Sequence, residues 1–133
     1  MSLSEEERKV VVNLELKKAT ETFEEIEILF NAKKWSGAAN RLYYSVFHAI
    51  SALLIYNKHQ VYSHHGSHAI FHKYFIKTGI LPEEYGLLYN RLQTMREEGD
   101  YNCAYDVTEE ELLEQIEPAR QLLIEIKHLT KQD

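Results

Sequence analysis

The chain has 133 residues, of which 44% are hydrophobic and 27% charged, with a net charge of −6. That length suffices for one domain over residues 1–133 with its own core, so no disulfide or metal is needed for folding, and the single Cys103 has no internal partner. No apolar run reaches the roughly 18 residues of a membrane span, the charged stretch Ser4 to Lys9 is unlike a signal peptide, and one cysteine fits a reducing cytoplasm.

Five Gly and two Pro leave few breaks, and the apolar positions between them follow a helical rather than a strand period. The expected fold is all-α, an antiparallel up-and-down helical bundle of about five helices. The first helix, roughly residues 5–31, starts on a capping box of Ser4 with Glu7 and repeats Val12, Leu16, Ala19, Phe23, Ile26 and Phe30 on one face. The second, Ser36 to Tyr56, is apolar on most sides through Ala38, Leu42, Tyr43, Val46, Phe47, Ile50 and Leu53, so it belongs in the middle. A polar loop, Asn57 to Gly66, is expected to keep His64 out of the helix that follows. That short helix carries Ile70, Phe71, Tyr74 and Phe75, with Gly79 as its C-cap. A fourth helix begins at Pro82, buries Tyr85, Leu88, Leu92 and Met95, and weakens at Gly99. The last opens on a capping box of Thr108 with Glu111 and runs through Leu112, Ile116, Ala119, Leu123 and Ile126, with a kink expected at Pro118. Tyr43, Phe47, Ile50, Phe71, Leu92 and Leu123 are the predicted core. Nine tyrosines and a central helix apolar on most sides exceed what the neighbouring helices need to cover, which predicts a homodimer.

Charge is unevenly spread. From Ala32 to Leu81 there is no Asp or Glu, yet the block holds six bases (Lys33, Lys34, Arg41, Lys58, Lys73, Lys77) and six of the seven histidines. The three segments carry −4, +6 and −8, which sum to −6. A buried central hairpin accounts for the missing acids; a surface that meets an anion accounts for the surviving bases as well.

Three constellations carry potential chemistry. Arg41, Tyr44 and His48 project from one face of the central helix, beside Ser45, and must find water or an acceptor; one acceptor is a carboxylate of the acidic last two helices. Arg96 and Asp100, four apart, end the fourth helix next to Tyr101. His64, His68 and His72 fall at four-residue steps with His65 adjacent, a spacing that zinc uses, but no neighbouring carboxylate, thiolate or His-Glu-x-x-His run completes a site. No metal and no cofactor is assigned.

The string Ala38-Ala39-Asn40-Arg41-Leu42-Tyr43-Tyr44-Ser45-Val46-Phe47-His48-Ala49, followed by Ser63-His64-His65-Gly66 and then Arg96 and Asp100-Tyr101, resembles the small prokaryotic branch of the HEPN family (higher eukaryotes and prokaryotes nucleotide-binding domains). The resemblance implies a helical bundle, usually homodimeric, that often works beside a small nucleotidyltransferase as a toxin and antitoxin pair. It also implies nucleotide or RNA binding. On physical grounds, a central helix too apolar to bury its polar stripe for nothing is expected to bring Arg41, Tyr44 and His48 together with Arg96, Asp100 and Tyr101 in one polar cleft, with His64 and His65 near its rim; Arg41, Tyr44, His64 and His65 are the expected anion- or nucleotide-binding residues. Many proteins of the family are metal-independent ribonucleases marked by Arg, four to six intervening residues, then His. Counting on from Arg96 gives Tyr101, Asn102 and Cys103 instead, while Arg41 to His48 meets the spacing on a different helix. Arg96, Asp100, Tyr101 and His48 are therefore the candidates for a rearranged catalytic site. A structural homodimer without activity is the remaining alternative.

Overall fold

The computed structural model describes residues 3–60 and 63–131; five α-helices follow one another along the chain, and no strand occurs among the described residues. Helix α1 (Glu5–Asn31) starts as its sequence predicts: the Ser4 hydroxyl accepts from Glu7 N–H while the Glu7 carboxylate accepts from Ser4 N–H. The turn to α2 (Trp35–Tyr56) is only three residues long, with Lys33 at φ 59°, so the two helices must run antiparallel. They lie together over much of their length because Ala19, Ala38, Ala39, Ala49 and Ala52 let the backbones approach, and the buried Ser45 hydroxyl donates to the Ala19 carbonyl at 2.7 Å.

Helix α2 also meets α3 (His64–Phe71), α4 (Glu83–Tyr101) and α5 (Glu109–Leu129), which puts it at the centre. Of the predicted core, Tyr43, Ile50, Phe71, Leu92 and Leu123 are buried, whereas Phe47 is only half-buried, because its ring meets an imidazole instead of closing the core. Among the described residues no helix is long and apolar enough to cross a membrane.

Several local expectations are corrected. His64 is helical: Ser63 caps α3 by accepting from Gly66 N–H at 3.0 Å, so the polar loop ends three residues earlier than Gly66. Val61 and Tyr62 of that loop lie outside the described residues. Helix α3 does not run evenly on to Gly79. It passes into a π-helical turn, His72–Ile76, and Gly79 then takes φ 80° and donates its N–H to the Ile76 carbonyl at 3.0 Å. Helix α4 continues through Gly99 to Tyr101, and Pro118 lies inside α5, which is helical on both sides of it. The Thr108 hydroxyl caps α5 from Glu111 N–H, but the Glu111 carboxylate accepts from the Tyr105 hydroxyl at 3.2 Å.

The six bases of the acid-free block do not make one patch. Lys33 and Lys34 lie at the start of α2 and Lys58 just past its end, about 30 Å apart at 1.5 Å per residue. Lys58 pairs with Glu5 at 3.7 Å. The lack of acid follows mainly from α2 being the central helix.

Candidate functional site

Tyr43 and Tyr44 are consecutive on α2, so one turns inward and the other toward the surface. Tyr43 is 1% exposed, yet its hydroxyl lies 2.7 Å from Nδ1 of His64, at the first turn of α3. The His64 ring stacks on Phe47, with centroids 4.2 Å apart and planes 4° from parallel, and meets the Tyr44 ring edge-on at 5.7 Å. Helix α4 closes the arrangement with Arg96. Its guanidinium carbon sits 4.9 Å from the Tyr43 ring centroid and 5.9 Å from that of Tyr44. The same side chain pairs with Asp100 at 3.2 Å and is 14% exposed. Such a cation is held by two ring faces and one carboxylate, a partly desolvated setting in which cation–π attraction exceeds its worth at an open surface.

The rest of the α2 stripe reaches the same rings. Arg41 lies 5.5 Å from the Tyr44 centroid, so both guanidiniums bear on one ring. The carboxylate that meets Arg41 is Glu25 of α1 at 3.6 Å, not one from the last two helices, because α1 and not α5 flanks that face; Asn40 Oδ1 also accepts from its Nη2 at 2.7 Å. His48 touches Tyr44 and Phe47 with ring centroids at 6.5 and 5.5 Å, and its Nδ1 donates to the Glu15 carboxylate at 2.9 Å. Arg41, His48, His64 and Arg96 are thus gathered around Tyr44, with Asp100 joined through Arg96. Two expected residues are not part of that contact set: His65 faces solvent on α3, and Tyr101 stands 82% exposed at the end of α4.

Burial lowers the pKa of His64 below the usual histidine value, and the nearby Arg96 and His48 add to it, so its imidazole is neutral at neutral pH. Burial likewise raises Tyr43 and Tyr89, keeping both phenols protonated; Tyr89 in turn lies 3.4 Å from the Ser67 hydroxyl. The phenols and His64 therefore form a buried polar chain running from Ser67 to the cleft. His68 and His72 are a separate pair, edge-to-face at 4.7 Å, with His72 Nε2 3.2 Å from Asn90 Oδ1. Among the described residues no three His, Cys, Asp or Glu side chains converge as a metal would require.

The HEPN domain model matches residues 12–129, a span that includes every member of this cleft. The chain belongs to the HEPN domain family. This HEPN protein is 31% identical over 123 residues to a UPF0332 protein of Thermotoga maritima, a match covering 92% of the chain and 93% of that relative. Two Methanocaldococcus jannaschii proteins are similar to it as well. "Putative toxin MJ0605" is 32% identical over 114 residues, 86% of this chain and 84% of that one, and "Putative toxin MJ0142" is 32% identical over 96 residues, 72% and 65% respectively.

Sequence reasoning placed Tyr43 and Phe47 in the core alone and passed over Glu15 and Glu25. The alternation of Tyr43 with Tyr44 on a central helix signals that one ring joins core and cleft. Glu15 and Glu25 carry no such local sign, since each meets its partner only when α1 folds back on α2.

Proposed function

We propose that this HEPN protein is a toxin-type component that binds the phosphate of a nucleotide or of RNA at the cleft of Arg96, Arg41, Tyr44 and His64. The observation that supports it is the state of Arg96. Asp100 accepts from Nη1 and orients the guanidinium, whose Nη2 remains for a phosphate oxygen, while Nε is buried out of a ligand's reach. A neutral His64 beside it adds a donor at no charge cost, and the exposed Tyr101 ring at the end of the same helix offers a face to a base. The family resemblance supports a cytoplasmic homodimer that works with a small nucleotidyltransferase. Titration of a labelled short RNA and of a mononucleotide tests the reading: Arg96→Ala and Arg41→Ala each weaken binding at least about tenfold with the helical circular dichroism intact. Two variants that bind like the parent refute it.

A second reading, RNA cleavage without a metal, is favoured by two imidazoles, His48 and His64, around the same pair of rings. The missing late histidine is then replaced from other helices.

A further inference from the structure

Glu15 stands outside every motif of the chain, yet it fixes the chemistry of one histidine in the cleft. A carboxylate only accepts hydrogen bonds, so its 2.9 Å contact with His48 requires the proton on Nδ1 and leaves the lone pair of the neutral ring on Nε2. His64 is in the opposite position. Its Nδ1 faces the Tyr43 hydroxyl at 2.7 Å; Tyr43 accepts from the Tyr89 hydroxyl, so its own O–H is directed to His64 Nδ1 and the ring hydrogen of His64 lies on Nε2. One cleft therefore holds an imidazole set up to take a proton and another set up to give a hydrogen bond while remaining neutral. Both rings touch Phe47 and Tyr44, and Arg96 bears on Tyr44 from α4.

We infer that Glu15 is a positioning residue that holds His48 as the general base for cleavage of an RNA phosphodiester, with His64 as a neutral hydrogen-bond donor to the phosphate beside Arg96. This rests on the cleavage reading above. In the step, His48 Nε2 removes the proton of the ribose 2′-OH, and the 2′ oxygen forms a bond to phosphorus. The bond from phosphorus to the 5′ oxygen breaks with its electron pair on the leaving oxygen, which takes a proton from water. The hydroxide so formed is neutralised by the proton on His48. The products are a 2′,3′-cyclic phosphate and a 5′-hydroxyl, with no oxidant, reductant or metal consumed. The role of Glu15 is confined to tautomer and ring orientation; it touches neither the ribose nor the phosphate.

The test uses the full-length protein with the dinucleotide uridylyl-adenosine in buffer containing EDTA. Glu15→Gln lowers kcat at least about tenfold with KM unchanged, because the glutamine amide can donate to Nδ1 and move the ring proton to Nε2, and His48→Ala lowers it about a hundredfold. Glu15→Asp restores part of the loss. Nitrogen-15 spectra of the parent show His48 as the Nδ1–H tautomer and those of Glu15→Gln show the Nε2–H form, a signature that a merely structural role for Glu15 would not move. Parent kcat retained in Glu15→Gln, or an Nε2–H tautomer in the parent, overturns the assignment; if Arg96→Ala still abolishes cleavage, the cleavage reading itself survives. A parent that leaves the dinucleotide intact overturns both.

Discussion

Acid destabilisation of this protein should begin well above the range where carboxylates titrate, and His68 is the reason. Burial lowers its pKa from 6.5 to about 4, helped by the neighbouring His72 and His65 and opposed by Glu97 from α4. Its Nε2 is buried without a hydrogen-bond partner and its ring lies edge-on to Tyr89 at 4.7 Å, so a charged imidazole has no hydrogen-bond acceptor there and the attraction of Glu97 does not offset the burial. Above about pH 6.5 the residue is neutral in folded and unfolded chains alike and contributes no pH dependence. As pH falls from there toward 4, the unfolded chain binds a proton that the folded chain refuses, and stability is lost. At about 1.4 kcal/mol per pH unit the full drop is about 3 kcal/mol, and residual access to water reduces this to about 2 kcal/mol. His64 is shifted in the same direction and adds to the loss. The carboxylates with lowered pKa, Glu7 and Glu117, act only below their ordinary value of 4.5, so the interval above that belongs to histidine. Urea melts followed by far-ultraviolet circular dichroism, at steps from about pH 7 to about pH 4.5, measure the loss. His68→Phe keeps a ring against Tyr89 and removes the titration, so its stability changes much less over the interval. Equal losses in parent and variant refute the reasoning.

Four further changes probe packing and backbone by the same melts. Leu92→Ala, at a fully buried site, costs about 2–5 kcal/mol. Ser45→Ala removes the donor to Ala19 in the interface of α1 and α2 and costs about 1 kcal/mol. Gly99→Ala stabilises by about 0.5 kcal/mol, since the added methyl meets nothing inside a continuous helix, whereas Gly79→Ala destabilises by about 1 kcal/mol because φ there is 80°.

Helix identity and order were legible because each helix buries a regular stripe: Val12, Ala19 and Ile26 on α1 and Leu88, Leu92 and Met95 on α4 are where the period puts them. The centrality of α2 was legible for the same reason. What escaped depended on contacts between helices distant in sequence. The π-helical turn at His72–Ile76 has no composition of its own, and Gly99 carries a weak helix propensity that the rest of α4 overrides. At the cleft, the spacing of Arg41, Tyr44 and His48 showed that they share a face. It did not show that Arg96 would lie over the two tyrosine rings, nor that α1 would supply carboxylates to Arg41 and His48.

Tyr43 fills the core with its ring and orients His64 with its hydroxyl, so one side chain answers to two demands at once. A smaller residue there opens a void and releases the imidazole together, and phenylalanine keeps the packing while losing the tether. The cleft can therefore be retuned through Tyr44, His48 or His64 with little effect on the fold, but a change at position 43 alters endurance and chemistry in a single step.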